Sequence, residues 1–369
     1  MFKTLEIKNY RGLSHFKMEK LGRINLLVGG NNSGKTSILE ALQLLATNGN
    51  PLALWNILSR RGEYSPPEES PSRYGRTSEL EISHLFLGHE IKQGSSFSIS
   101  ANNKIKQELV CNIEEMKEEN LSLLHPEEDD AIGIRLALYF KGNPMPSVPM
   151  VPLSKSDSLG LDTIESLLRR RVQRSNITLN NNIQYVSTES LSVAELHSRW
   201  NEIALTPNEL LVLQALKFLD TKIERIAAIP AGSFSRSRGG FIVKFESSKR
   251  PVPIGSLGDG AWRMLALAIA LSSAKDSILL IDEIDTGLHY SVMSSMWKMI
   301  NETAKEFNIQ VFATTHSLDC VNSLAYICRE GVDENSEVTV QRLEPEYNKA
   351  VAYTEEDIII AAKRHIEVR

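Results

Sequence analysis

The stretch LLVGGNNSGKTSILEAL, residues 26–42, decides the fold of this chain. An apolar run ends at Val28, a loop of glycines and small polar residues follows, and an apolar helical pattern begins after Lys35. Residues 29–36 match the pattern G-x-x-x-x-G-K-[ST] at every position. A strand pattern and a helix pattern flank the loop, as this motif requires. The sequence therefore predicts a loop that wraps around phosphates rather than a chance glycine-rich turn.

The residue types of this loop suit a nucleoside triphosphate. Glycines allow backbone N–H groups to turn inward around phosphates, and the helix that follows points its positive end at the anion. We expect Lys35 to reach the β- and γ-phosphates and Thr36 to reach a Mg²⁺ ion. The predicted nucleotide-binding residues of the loop are Gly29, Gly30, Asn31, Asn32, Ser33, Gly34, Lys35, Thr36 and Ser37.

A second stretch, SILLIDEID at residues 277–285, combines a buried strand with carboxylates at its end. We expect Asp282 to hold Mg²⁺ through water and Glu283 to polarise the water that attacks the terminal phosphate. Alone, the pattern is equally well explained by a strand that runs into an acidic helix cap. Together with the phosphate loop it favours a site for nucleotide hydrolysis.

Two further segments contribute polar groups at the ends of regular elements. SLGDGAWRMLALAIAL opens a helix, and it brings a hydroxyl and free backbone amides to the helix N-terminus, where they suit a terminal phosphate. The residues of this opening are Ser256, Gly258, Asp259 and Gly260. VFATTHS ends a strand at His316, the residue that we expect to sense the γ-phosphate.

Composition sets limits on the function. The chain has 369 residues, a formal net charge of -5 and three cysteines without paired metal spacing. A chain-wide basic field for nucleic acid is therefore excluded, although local patches such as Arg169–Arg174 or Arg236 and Arg238 keep nucleic-acid contact possible. The odd cysteine count without a secretory leader favours a reducing, cytoplasmic location, and we expect no membrane partner.

The order of patterns along the chain predicts an α/β fold with a parallel core. Helical patterns at 37–47, 260–273, 288–306 and 317–325 alternate with buried strands, while the middle of the chain reads as an antiparallel β-layer. Residues 190–226 have a helical pattern. We therefore predict three parts, namely 1–188 with the phosphate loop and β-lobe, a helical hairpin at 189–226, and 227–369 with the remaining motifs.

The segments KNYRGL, GGNNSGKTS, SLGDG, LLIDEIDTGLH and ATTHS, in this order, resemble the ABC-type ATPase heads related to SMC, RecF and OLD nucleases. The resemblance covers the first fifty residues and roughly residues 250–325. The signature segment of this chain departs from the usual LSGGQ, since Asp259 replaces a glycine and Ala261 replaces the glutamine. Such a GDG signature fits the OLD-like branch better than transporters. The helical insertion is too short for the coiled coil of an SMC protein, so the chain resembles an ABC-type head with only a short helical extension.

The resemblance implies roles for individual residues and cofactors. ATP and Mg²⁺ are the implied ligands, and the opening at Ser256–Gly260 is the implied signature, offered in trans to a nucleotide that a second subunit holds. Glu283, His316 and Lys35 are the implied catalytic residues. Asp285 belongs to the implied D-loop, which faces the opposite subunit. Arg11, in a turn after the first strand, lies where related heads approach the nucleotide.

The implied function is a nucleotide-driven dimerisation switch that controls a separately encoded effector in bacterial antiphage defence, such as a Toprim-like or HNH nuclease. No fused nuclease is visible, because Glu355, Glu356 and Asp357 read as an ordinary acidic helix start. Two alternatives remain. One is a DNA repair or recombination ATPase of the RecF type that closes on DNA. The other is a scaffold that ATP holds together with little turnover, against which Glu283 and His316 argue.

Overall fold

A computed structural model describes the chain over most of its length. The described residues are 1–65, 79–103, 105–115, 136–143, 150–153, 158–161, 164–165, 183–188, 191–229, 240–246, 248, 250–330, 337–344 and 346–368. Elements are numbered below in chain order. The basic patches that the sequence analysis named, Arg169–Arg174 and Arg236 with Arg238, lie outside these ranges.

A six-stranded sheet forms the centre of the nucleotide-binding core. Its strands are β3 (Ile24–Val28), β10 (Ile183–Val186), β14 (Ile278–Ile281), β15 (Gln310–Thr314), β16 (Val338–Arg342) and β17 (Val351–Tyr353). The order is β10-β14-β15-β3-β16-β17, and every pair is parallel except the last. Strands β3 and β15 are buried at every residue, as expected for parallel strands covered on both faces.

A second six-stranded sheet is wholly antiparallel and forms the predicted β-lobe. Its strands are β1 (Thr4–Tyr10), β2 (Leu13–Met18), β5 (Ser96–Asn102), β6 (Lys106–Glu115), β7 (Leu136–Asn143) and β8 (Val151–Pro152). Neighbours follow the order β2-β1-β5-β6-β7-β8. Alternate residues of β6, from Leu109 to Ile113, are buried, so one face covers the core and the other faces solvent.

Small sheets and eight helices among the described residues complete the structure. The small sheets pair β4 (Glu79–Glu81) with β9 (Ser158–Gly160) and join β11 (Ile223–Ala228), β12 (Phe241–Phe245) and β13 (Val252–Pro253). The helices are α1 (Lys35–Ala46), α2 (Pro51–Arg61), α3 (Val193–Ile203), α4 (Asn208–Lys217), α5 (Asp259–Ser272), α6 (Tyr290–Glu306), α7 (Leu318–Glu330) and α8 (Glu355–Lys363). These helices are each too short or too polar to cross a lipid bilayer.

The helical hairpin is shorter than predicted. Helix α4 ends at Lys217, a turn closes with the Ile223 amide bonded to the Asp220 carbonyl, and β11 follows. The sequence predicted a helical pattern through residue 226, and Ile223 and Ile226 have the three-residue spacing of a helix face. A bulge after Ile223 shifts the register of β11, so both side chains are buried in the strand. The spacing of a helix face is thus produced by an irregular strand.

The hairpin shares one hydrophobic core with α5. Leu196, Trp200 and Ile203 on α3 are buried, and the Trp200 ring contacts Phe241 of β12 edge-on at 5.7 Å. The Phe241 ring contacts Trp262 of α5 in turn, at 6.5 Å. The apolar face of α3 therefore packs on β12 and on the helix after the signature segment.

Candidate nucleotide site

The phosphate loop lies between the end of β3 and the start of α1, in the middle of the parallel sheet. Gly29 has a φ of +141°, and a Cβ placed on it would be 2.4 Å from the Leu343 carbonyl oxygen. Gly34 has a φ of +91° and immediately precedes α1. Both positions need glycine, because a side chain would meet backbone at the first and strain the turn at the second. The glycine pattern therefore reflects the shape of this loop.

The Lys35 side chain folds back over the loop. Its Nζ donates to the carbonyl oxygens of Gly29 at 2.9 Å and Gly30 at 2.7 Å, and it lies 3.4 Å from the Ser33 hydroxyl. Burial lowers the pKa of Lys35, whereas the carboxylates of Asp282 and Glu283 act to raise it. The ammonium of Lys35 thus lies among the backbone groups of the phosphate loop, at the place where a bound phosphate would contact it.

The other loop positions surround this ammonium. Ser33 is buried, whereas Asn31 and Asn32 are exposed, and Asn32 has a φ of +60°. Ser37, in the first turn of α1, accepts a hydrogen bond from Arg61 of α2 at 3.2 Å. The phosphate loop therefore exposes its two asparagines to solvent, while Ser33 and Lys35 are buried beneath them.

Thr36 and Asp282 meet across the gap between α1 and β14. The Thr36 hydroxyl lies 3.3 Å and 3.2 Å from the two carboxylate oxygens of Asp282. Neighbouring ligands on an octahedral Mg²⁺ ion are about 3 Å apart, since each lies at about 2.1 Å from the metal. A hydroxyl and a carboxylate at this spacing fit the oxygen-only donor set of Mg²⁺. The structure thus brings together the two residues that the sequence predicted as metal ligands.

Glu283 follows Asp282 with an unusual backbone. Its φ is +45°, in the left-handed region that residues other than glycine rarely adopt. The Thr314 hydroxyl accepts a hydrogen bond from the Glu283 N–H at 2.8 Å and donates to Asp282 Oδ1 at 2.6 Å. The Thr286 hydroxyl donates to Glu283 Oε2 at 3.2 Å. Three contacts therefore organise the two neighbouring carboxylates.

Arg263, a residue that the sequence analysis did not select, lies directly behind these carboxylates. Its guanidinium donates to the carbonyl oxygens of Ser187 at 2.6 Å, Asp282 at 2.8 Å and Glu283 at 2.9 Å. Burial lowers the pKa of Arg263 to about 10, and the carboxylates of Asp282, Asp285 and Glu283 act in the opposite direction. A signal was present in the sequence, because this arginine interrupts an otherwise apolar helix.

Helix α5, which follows the signature segment, begins at Asp259, one residue earlier than the sequence predicted. Ser256 is exposed in a short 3-10 turn, Ile254–Leu257, and Gly258 caps α5 with a φ of +89° and no side-chain hydrogen bond. Asp259 and Gly260 therefore form the first turn of α5 rather than the approach to it. A Cβ on Gly260 would lie 3.0 Å from the carbonyl oxygen of Gly287, so the D-loop of the same chain packs against this turn.

Asp285 and His316 follow the carboxyl ends of β14 and β15, which are parallel neighbours in the central sheet. Asp285 Oδ1 accepts a hydrogen bond from the Thr315 hydroxyl at 2.5 Å. His316 comes directly after Thr315, beyond the end of β15, and is exposed. Thr315 therefore ties the D-loop to the segment that carries the histidine.

Arg11, which the sequence predicted to lie near the nucleotide, pairs with two carboxylates in this structure. Its guanidinium is buried, 5% exposed, and pairs with Glu40 at 2.8 Å and Glu63 at 2.6 Å. Glu40 also pairs with Arg61 at 2.7 Å. Because Glu40 belongs to α1 and Glu63 follows α2, Arg11 joins the first turn of the chain to both helices. The contact of Arg11 with a nucleotide stays a prediction.

Comparisons with known proteins connect the chain with ATPases. A family model described as "AAA ATPase domain" matches residues 1–210, and one described as "AAA domain, putative AbiEii toxin, Type IV TA system" matches residues 156–321. The chain is 22% identical to an "ATP/GTP phosphatase" of Helicobacter pylori over 347 residues, which cover 89% of each protein. It is 49% identical to the DNA replication and repair protein RecF of Nitrosococcus oceani over 41 residues, 11% of each.

A solved structure of an SMC head bound to the C-winged helix domain of ScpA shares the fold. Its TM-score is 0.52, its sequence identity is 16%, and the match covers 97% of this chain and 99% of that one. The predicted fold class and the resemblance to SMC-type heads are thereby confirmed. Because the first family model matches 210 of the 369 residues, the chain belongs to the AAA ATPase domain family and is an ATPase.

Proposed function

We propose that this chain binds Mg²⁺-ATP between two copies of itself and hydrolyses it slowly, as a dimerisation switch. The observation that carries the proposal is the pairing of Thr36 with Asp282, at 3.2 and 3.3 Å, beside the buried Lys35 ammonium. An ammonium and a hydroxyl from the start of α1 and a carboxylate from the end of β14 converge at the loop. That combination suits a triphosphate and a hard divalent cation.

Each side chain then has a distinct task. Lys35 would leave the Gly29 and Gly30 carbonyls and neutralise the β- and γ-phosphates. Thr36 and Asp282 would hold Mg²⁺, which supplies positive charge to the phosphates when bound. Glu283 would orient and polarise the attacking water as a general base. His316, exposed beyond β15, would sense the γ-phosphate.

The second copy would complete the site. The start of α5 is exposed at Gly258 and Asp259, and its N-cap has no side-chain hydrogen bond. The N-terminus of a helix favours an anion. Gly258, Asp259 and Gly260 would offer their backbone amides to the nucleotide of the partner, with the Ser256 hydroxyl beside them. Asp285 would lie at the same interface. The predicted division of the chain into residues 1–188, 189–226 and 227–369 remains part of this proposal. Its middle part contains the helical hairpin, α3 and α4, which packs on α5.

The output of the switch is proposed to be control of a separately encoded effector, such as a Toprim-like or HNH nuclease, in antiphage defence. The family description that names a toxin of a type IV system supports this direction. The SMC head in the solved structure is bound to a separate protein, which supports the idea of an external partner. The alternative that the head closes on DNA draws on the short RecF match.

The test measures hydrolysis and size together. We expect the parent chain to release phosphate slowly and Glu283→Gln to keep only a residual rate, at least about 100-fold lower, because the amide cannot act as a base. In Mg²⁺-ATP, Glu283→Gln should be a stable dimer by light scattering, and it should be a monomer without nucleotide. A monomer at saturating ATP contradicts the switch. Strong stimulation by duplex DNA would favour the repair alternative, and a tight parental dimer without turnover would favour the scaffold.

A further inference from the structure

Glu283 is held in a backbone conformation that it would not adopt alone. A glutamate at φ +45° is strained, and such strain persists only where neighbouring groups fix the chain. The peptide groups on both sides of its Cα are fixed. The Thr314 hydroxyl accepts from its N–H at 2.8 Å, and the Arg263 guanidinium donates to its C=O at 2.9 Å.

The two holding residues come from different parts of the fold and are both buried. Thr314 ends β15 and is 0% exposed, while Arg263 lies one turn into α5 and is 3% exposed. Burying a guanidinium is costly unless its N–H groups are satisfied. Here both terminal nitrogens donate to carbonyl oxygens, including those of Asp282 and Glu283. The arrangement therefore fixes main chain at one specific place.

We propose that Arg263 and Thr314 are positioning residues that hold Glu283 in the left-handed conformation and thereby aim its carboxylate at the attacking water. The inference rests on the proposed function, in which Glu283 is the general base. The direction of the Cα–Cβ bond depends on φ, so relaxation of Glu283 to a right-handed or extended backbone would carry its carboxylate away from its present place. The Thr286 hydroxyl would then lose its bond to Oε2 as well.

This proposal predicts a loss of turnover without a loss of nucleotide binding. Neither side chain has a described contact with the phosphate loop. Displacement of a reacting group by about 1 Å can reduce the rate about 100-fold. We therefore expect Thr314→Val and Arg263→Lys to reduce kcat at least about tenfold, with KM and the Kd of a fluorescent ATP analogue changed less than about threefold.

The matched control is Thr314→Ser, which keeps the hydroxyl and should keep kcat within about threefold of the parent. Thr314 also donates to Asp282, so kcat is measured at saturating Mg²⁺ to separate an effect on metal affinity. A double variant tests the route of action. Because the holding residues act through the Glu283 carboxylate, adding Thr314→Val to Glu283→Gln should not lower the residual rate further.

The outcomes are separable. Turnover of Glu283→Gln at the parental rate overturns the role of the base in the proposed function. If Glu283→Gln keeps only a residual rate while Thr314→Val and Arg263→Lys turn over like the parent, the positioning proposal is wrong. Multiplied losses in the double variant also overturn it, since they indicate general damage. If Arg263→Lys melts far below the parent, the valine and serine variants of Thr314 decide the question alone.

Discussion

At the scale of single residues, the loop glycines and Lys35 were predictable because the motif fixes both their spacing and their chemistry. Arg263 was not, because its acceptors lie at Ser187, 76 residues away, and beside the acidic strand end. A contact of this kind depends on which strands become neighbours, and local sequence does not record that. The ion pairs of Arg11 were equally unpredictable from sequence. Its guanidinium pairs with Glu40, which is buried, and with Glu63, which is partly buried.

Lys35 should dominate nucleotide affinity. Replacing it with alanine leaves the triphosphate among backbone dipoles only, and a charge-assisted contact contributes roughly 1.5–3 kcal/mol. We expect Lys35→Ala to weaken ATP binding about ten- to a hundredfold, measured by titration of a fluorescent analogue. Lys92→Ala, at an exposed loop position, is the matched control. Unchanged affinity in Lys35→Ala would remove the lysine from the site.

Gly29 and Gly30 should respond differently to the same change. A methyl group on Gly29 would lie 2.4 Å from the Leu343 carbonyl oxygen, whereas one on Gly30 meets nothing within 4 Å. We expect Gly29→Ala to lower the free energy of unfolding by about 1–3 kcal/mol relative to Gly30→Ala. Denaturant titration of both variants is the measurement. Equal stability would mean that the loop can move away from Leu343 without cost.

At the scale of elements, the sequence predicted the core helices and strands within a few residues but missed α2. Its signals were present, with Asn50 capping the helix, Pro51 at its first position and Gly62 in the left-handed conformation after its end. The bulged strand β11 was mistaken for helix because a register shift imitates helical spacing. Boundaries that depend on pairing with a distant strand are the ones that local periodicity misplaces.

The start of α3 offers a test of local stabilisation. The Ser192 hydroxyl and the Glu195 carboxylate cap each other's backbone N–H groups, which anchors the hairpin beside α5. We expect Ser192→Ala to lower the free energy of unfolding by about 1 kcal/mol, seen as a lower Tm. Ser198→Ala, on the exposed side of the same helix, should leave Tm unchanged. A shift in both variants alike would indicate a property of α3 other than its cap.

At the scale of the whole molecule, the central question is whether one chain is sufficient for turnover. The phosphate loop with its acidic partner and the exposed start of α5 are both present in each copy. In the proposed dimer, each nucleotide uses the loop of one copy and the α5 start of the other. Lesions in these two places then belong to different halves of one composite site.

Mixing two inactive variants tests this sharing. In a mixed dimer of Lys35→Ala and Ser256→Arg, one composite site carries both lesions and the other carries neither. Random mixing should restore about one quarter of the parental rate, because half of the dimers are mixed and each has one intact site. The rate is measured after subunit exchange has been demonstrated with labelled chains. No recovery after exchange would count against a shared site.

The strand order also has a consequence for how the protein is made. Strand β3, which leads into the phosphate loop, pairs with β15 on one side and β16 on the other. Residues 24–28 leave the ribosome long before residues 310–314 and 338–342, so this strand waits for both neighbours while nearly the whole chain is synthesised. Such distant pairing slows folding and leaves an apolar strand open to aggregation in the interval. The nascent chain should therefore acquire ATP affinity only after its C-terminal strands emerge, and a chaperone that shields residues 24–28 would raise its yield.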